Sequence, residues 1–143
     1  MKMEWMPNAC VCCLLLWNAV WDWRKREICL CSLGLFALSG IGLQMVCPWG
    51  APEQIPGGMI VGGGMILLSL LSKGAIGTGD GLLLCVTGIY LGFYRNLELI
   101  LGALFLCFVV TAVLWICGNV HRKTEIPFVP FLFAACLIEV ILW

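Results

Sequence analysis

Two acids in an otherwise apolar chain define the chemistry this sequence can do. Asp80 closes a glycine-dense stretch at residues 73–80, Lys-Gly-Ala-Ile-Gly-Thr-Gly-Asp, that interrupts long apolar sequence. Asp22 ends an earlier apolar run, and Arg24, Lys25 and Arg26 follow it. A carboxylate at the mouth of a membrane helix is costly to keep, so such an acid marks a candidate functional site. Two carboxyls close enough to share a proton cannot both ionise, and their titrations split. One can then draw a proton from water while the other, still protonated, polarises a carbonyl, as in an aspartic protease. Asp80 opens a helix and Asp22 closes one. The helix dipole therefore assigns Asp80 as the base and Asp22 as holder of the shared proton.

The glycines beside Asp80 add a second candidate function. Gly77 and Gly79 flank Thr78, and a backbone without side chains there can approach an extended substrate strand closely. Gly77, Thr78 and Gly79 are thus the candidate substrate-binding residues. The same stretch also fits a tight interhelical turn with Asp80 as its N-cap. Asp22, likewise, also fits a counter-charge for the basic cluster beside it.

The elements that must position these residues are apolar helices. Of the 143 residues, 62% are hydrophobic and 11% charged, and mean hydropathy is +1.05, which predicts an all-α, polytopic membrane protein of one domain over residues 1–143. About six transmembrane helices are expected, at residues 5–21, 28–47, 57–72, 81–94, 99–118 and 128–143. Pro-rich residues 48–56, the polar group Arg95-Asn96-Leu97-Glu98 and the polar, basic residues 119–125 serve as connections. Gly58 with Gly62, and Gly88 with Gly92, have the four-residue spacing of small residues that lets helices pack closely. The first run lacks a small-residue cleavage pattern and is followed by basic residues, so it is expected to be a membrane span rather than a cleaved signal.

Charge placement orients the chain. The connections after spans one, three and five hold Arg24, Lys25, Arg26, Lys73, Arg122 and Lys123, while the opposite side has Lys2 and Arg95. Six basic residues against two place the odd connections in the cytoplasm and both termini outside. Asp22 and Asp80 then stand at matching depth on the cytoplasmic face.

Other chemistries find little footing. Eight basic and eight acidic residues cancel, and no basic tract predicts nucleic-acid binding. Nine of the ten cysteines lie in or at the edge of apolar runs, with Cys29 just outside one, as buried apolar residues do. There is no Cys-x-x-Cys pair, and the single His121 has no partners at zinc spacing, so neither a metal nor a cofactor is expected. Gly-Thr-Gly-Asp lacks the Lys-Ser/Thr of a phosphate loop. The tryptophans cluster near span ends and read as interface anchors.

Taken together, the two segments resemble the type IV prepilin peptidase family, membrane aspartyl proteases with a Gly-x-Gly-Asp motif. Asp22-Trp-Arg24-Lys25-Arg26-Glu27-Ile28 is similar to that family's first-aspartate motif, and Gly77-Thr78-Gly79-Asp80 to its second. Ile126-Pro127-Phe128-Val129-Pro130-Phe131 resembles its late Ile-Pro-Phe-Gly-Pro-Phe segment, and the helix bearing Gly88 and Gly92 resembles the one after its second aspartate. The resemblance implies a bacterial inner-membrane endopeptidase, working at the cytoplasmic face, that removes short basic leaders from prepilin-like or pseudopilin precursors. It implies the short form, without the segment of two Cys-x-x-Cys pairs that accompanies N-methyltransferase activity. Four positions depart from the family pattern. Cys29 replaces its Pro, Leu30 its Asn, Leu82 its Lys and Val129 its late Gly.

Two further classes compete. An intramembrane acid also marks ion pathways, and Glu139 lies deepest in the sixth span, as a proton-coupled or small-solute transporter would require. Snorkelling of Glu139 toward the outer face is the plainer account. An inactive structural subunit of a pilus or secretion assembly would tolerate the departures at Cys29 and Leu82. The partners expected are precursor proteins and membrane lipid, with oligomeric state open.

Overall fold

The structure, a computed structural model, describes residues 5–25, 27–48, 54–73, 77–118 and 126–142. Lys2, Arg26, Trp49, Glu53, residues 74–76, His121, Arg122, Lys123, Glu125 and Trp143 lie outside the described residues. Five helices follow in order: α1 (Trp5–Lys25), α2 (Leu30–Val46), α3 (Gln54–Leu71), α4 (Thr78–Ile116) and α5 (Val129–Leu142). The described residues are all-α, without strands. Two of the helices, α3 and α4, are long and apolar enough to cross a membrane; α2 and α5 are apolar but shorter.

Helix α1 shows how sequence spacing aims the first acid. Val11, Leu14, Leu15, Asn18, Ala19 and Asp22 are buried, and their three- and four-residue spacing makes one face of the helix. Asp22 therefore closes a buried stripe rather than facing out, and is only 9% exposed. The remaining surface of α1 carries Trp17 and Trp23, both exposed. Trp17 stacks on Trp21 with ring centroids 6.4 Å apart, and the Lys25 ammonium lies 4.4 Å from the Trp21 ring centre. A cation over an indole face is attracted by the ring quadrupole, which secures the basic end of α1.

Helices α3 and α4 pack backbone to backbone. A Cβ on Gly58 would strike the Gly88 carbonyl, and one on Gly62 would strike the backbone nitrogen of Cys85. The spacing of Gly58 and Gly62 thus does what the sequence predicts, allowing close helix approach. Gly63 and Gly64, one step around the helix, would meet nothing. Pro56, expected in the preceding loop, instead occupies the first turn of α3, where a proline's missing N–H has no intrahelical partner to lose.

Five helical elements stand where six spans were expected, and α4 holds two helices joined across a kink, so the boundary between the expected fourth and fifth spans moves rather than disappears. No connection interrupts the chain at residues 95–98; Arg95, Asn96, Leu97 and Glu98 are helical, and the 39-residue α4 joins the expected fourth and fifth spans across a kink. Its single non-helical residue is Gly92, at φ 74° and ψ −172°, backbone that essentially only glycine adopts. Gly92 is therefore the bend of α4, and its α-carbon also lies close against Gln54 at the start of α3. The Asn96 side-chain amide donates to the Leu84 carbonyl at 2.9 Å, twelve residues back. In a straight helix about 18 Å would separate those positions. That bond forms only because the leg after Gly92 folds back beside the leg before it.

The same Asn96 amide donates to the Gly58 carbonyl of α3 at 3.0 Å, and its Oδ1 accepts from the Thr87 hydroxyl at 2.8 Å. Asn96 and Thr87 are fully buried, so these bonds satisfy polar groups that water cannot reach. On the other side of α4, the Tyr90 hydroxyl donates to the Phe36 carbonyl of α2 at 2.6 Å, and its ring lies against Gly40. Helix α5 packs along α1 and α4, with the Cys12 and Cys136 sulfurs 3.5 Å apart across the α1–α5 seam.

Candidate active site

Asp22 stands in the last turn of α1, but a second helix also reaches it. Its Oδ2 accepts the backbone N–H of Val129, the first residue of α5, at 3.4 Å. The Ile126-Pro127-Phe128 approach delivers that N–H: Phe128 ends the extended entry, its carbonyl accepts the N–H groups of Phe131 and Leu132, and the Val129 N–H is left for a side-chain acceptor. One turn before Asp22, the buried Asn18 donates to the Leu14 carbonyl at 2.9 Å. The Ser32 hydroxyl of α2 lies 3.3 Å from Asn18 Oδ1 and 2.7 Å from the Cys29 carbonyl. Asn18 and Ser32 therefore tie α1 to the start of α2 just above the acid.

Asp80 is the third residue of α4. Gly77, in extended conformation, takes the N-cap position and its carbonyl accepts the Asp80 N–H at 3.2 Å. Asp80 is thus in the first turn and is not the N-cap itself. A Cβ on Gly77 would lie 3.3 Å from Asp80 Oδ2, so the carboxyl folds back over that glycine. Gly77 and Thr78 are exposed, and Gly79 is half-buried.

The structure brings the two acids together. The Asp22 and Asp80 carboxyls are within electrostatic reach of one another, although 58 positions separate them, and Ile28, six residues after Asp22, lies against Gly79, the neighbour of Asp80. Asp22 stands at the C-terminal end of α1 and also accepts from the first N–H of α5, so two opposed dipoles act on it and the dipole of α1 alone does not assign base and acid. Around the pair, Arg24, Lys25 and Glu27 are exposed. Among the described residues, no group of three or more His, Cys, Asp or Glu side chains is placed to hold a metal ion.

The departures from the family pattern also find their places. Cys29 holds φ −74° and ψ 97° immediately before α2, within the range a proline ring allows, so the backbone course does not depend on which residue stands there. Leu82 is 41% exposed on α4 and brings no charge beside Asp80. The Val129 side chain is fully buried in the core.

Glu139 belongs to a different region. It lies ten residues beyond Val129 along α5, about 15 Å by helix rise from the Asp22 end. It is within electrostatic reach of Arg95 and Glu98 of α4. Its Oε1 is buried without a hydrogen-bond partner among the described residues.

Several residues of this arrangement are not singled out by the sequence. Asn18 sits four residues before Asp22, and that spacing alone places it on the same helix face. Asn96 is hidden among Arg95, Leu97 and Glu98, which together look like a solvated connection. The Val129 donor is a main-chain group and leaves no trace in residue type.

Among the described residues the fold is an all-α bundle of apolar helices. The chain belongs to the type IV leader peptidase family, whose family model matches residues 9–143 and so spans both aspartates. No curated protein and no solved structure matches it.

Proposed function

We propose that this chain is a membrane-embedded aspartic endopeptidase that removes short basic leaders from prepilin-like precursors at the cytoplasmic face of a bacterial inner membrane. The observation that carries the reading is that Asp22 and Asp80, from helices far apart in sequence, come within electrostatic reach of one another where Ile28 packs on Gly79. Family membership supports the peptidase activity and the substrate class. The lipid setting is supported by large apolar side chains left exposed around the bundle, among them Leu35, Leu38, Phe105, Phe108 and Ile141. The excess of basic residues in the odd connections supports the cytoplasmic placement.

In this reading one carboxylate of the pair takes a proton from water as the water oxygen adds to the scissile carbonyl carbon. The protonated partner donates its proton to the carbonyl oxygen. Collapse of the tetrahedral intermediate breaks the C–N bond, the departing amine takes up the proton drawn from water, and the proton lent to the carbonyl oxygen returns to the second carboxylate. Of the three expected substrate-binding residues, exposed Gly77 and Thr78 leave backbone open to an extended peptide beside Asp80, whereas the α-carbon of Gly79 is covered by Ile28. The test is co-expression in membranes with a precursor bearing a basic leader, followed by its size. Asp22→Asn and Asp80→Asn are each expected to leave the precursor intact, and cleavage at the parent rate by either variant overturns the reading.

A further inference from the structure

We propose that Ile28 is the positioning residue that sets the spacing of the Asp22–Asp80 pair, and that Gly79 lacks a side chain to receive it. This rests on the peptidase reading of the pair. A Cβ on Gly79 would lie 2.9 Å from Ile28 Cδ1 and 3.3 Å from both Cβ and Cγ1 of the same residue. Ile28 thus lies flat on the Gly79 α-carbon. It stands in the short link between α1 and α2, six residues after Asp22, and packs against the apolar core. Gly79 immediately precedes Asp80. The contact therefore joins the end of the segment that carries one acid to the turn that carries the other.

The two glycines of the turn are used differently. The Asp80 carboxyl itself covers Gly77, whereas a side chain 51 positions away covers Gly79. The space that Gly79 was expected to leave for a substrate strand holds Ile28 in this structure. A methyl at Gly79 would displace Ile28 only in part. Cδ1 is the atom it meets first, and because Ile28 also packs against the apolar core the push passes to the α1–α2 link. Van der Waals contact is short-ranged, so a shift of a few tenths of an ångström in that link passes to the geometry of the pair.

The experiment uses the full chain in liposomes with a precursor bearing a basic leader, and compares Gly79→Ala, Ile28→Val, Ile28→Ala and the Gly79→Ala/Ile28→Val double variant. Ile28→Val removes only Cδ1, the atom nearest Gly79. Gly79→Ala is expected to lower kcat about tenfold with KM within about twofold of the parent, because misplaced reacting groups slow chemistry more than binding. The double variant should recover at least about half of that loss on a logarithmic scale, since contacting residues couple. Ile28→Val alone should stay near the parent, and Ile28→Ala should fall with Gly79→Ala. In parallel, the yield of the disulfide joining the two positions in an Asp22→Cys/Asp80→Cys protein, identified by peptide mass, reads their spacing without any catalysis. Adding Ile28→Ala should lower that yield at least about twofold, and adding Ile28→Val should not. A double variant no faster than Gly79→Ala overturns the proposal, as does an Ile28→Ala cross-link yield equal to the parent's. If the parent protein cleaves no precursor, the peptidase reading fails, and the cross-link yields still decide the role of Ile28.

Discussion

Asn96 and Leu84 lie twelve residues apart in one helix, yet the Asn96 amide donates to the Leu84 carbonyl at 2.9 Å. That bond is the signature of a helix doubled back on itself at Gly92. Because the same amide reaches the Gly58 carbonyl of α3, one side chain pins three helical segments. Replacing it with leucine keeps the bulk but leaves the buried Gly58 carbonyl without this donor. Asn96→Leu should destabilise the fold by about 1–3 kcal/mol, the cost of an unsatisfied buried polar group. The midpoint of denaturant unfolding in detergent measures this, and an unchanged midpoint would rule out the pin.

Glycine substitutions separate the close approaches from the open faces. Gly58→Ala would drive a methyl into the Gly88 backbone, which no rotamer change relieves, whereas Gly63→Ala would meet nothing. Gly92→Ala meets a different obstacle, a φ of 74° that costs a side chain about 1–3 kcal/mol. Folded yield should therefore fall for Gly58→Ala and Gly92→Ala. For Gly63→Ala it should hold or rise, since alanine favours helix over glycine by about 1 kcal/mol.

How much of this the sequence reveals depends on the kind of contact. Asp22, Asp80 and the spacing of Gly58 and Gly62 are legible because residue type and spacing alone carry their meaning. The bend at Gly92 is not, because one glycine among seventeen does not announce a positive φ, and Arg95, Asn96 and Glu98 give the composition of a loop. Asn96 turns inward because the fold-back offers its amide two carbonyls, a tertiary fact. Contacts such as Val129 to Asp22 and Ile28 to Gly79 join a side chain to backbone across long sequence separation, and no local pattern records them. The helix-dipole argument for base and acid is incomplete for the same reason, since α5 arrives at Asp22 from more than a hundred residues away.

The register of α1 against α5 can be read directly. With their sulfurs 3.5 Å apart, Cys12 and Cys136 should be the first α1–α5 pair to link when the membrane protein is treated with a mild thiol oxidant. Peptide mass mapping identifies the bridge. Preferential linkage of Cys136 to Cys10 or Cys13 would mean a different helix register.

Glu139 separates the peptidase from a transporter. It lies about 15 Å along α5 from the Asp22 end, within electrostatic reach of Arg95 and Glu98. Glu139→Gln should keep leader removal within about threefold of the parent, as expected for a residue that takes no part in the chemistry. Liposomes holding the parent protein should show no Glu139-dependent proton flux. Flux abolished by Glu139→Gln but untouched by Asp22→Asn would favour transport.

The central claim is that Asp22 and Asp80 act as one unit on a peptide bond. Its most direct test is single-turnover cleavage of a leader-bearing precursor by the full chain in liposomes, with products identified by mass. Parent, Asp22→Asn, Asp80→Asn and the double variant are compared. Groups that act as a unit are strongly non-additive, so each single variant should lose at least about a thousandfold and the double should be no slower than either. A single variant that still cleaves at the parent rate, or losses that multiply in the double, would contradict it.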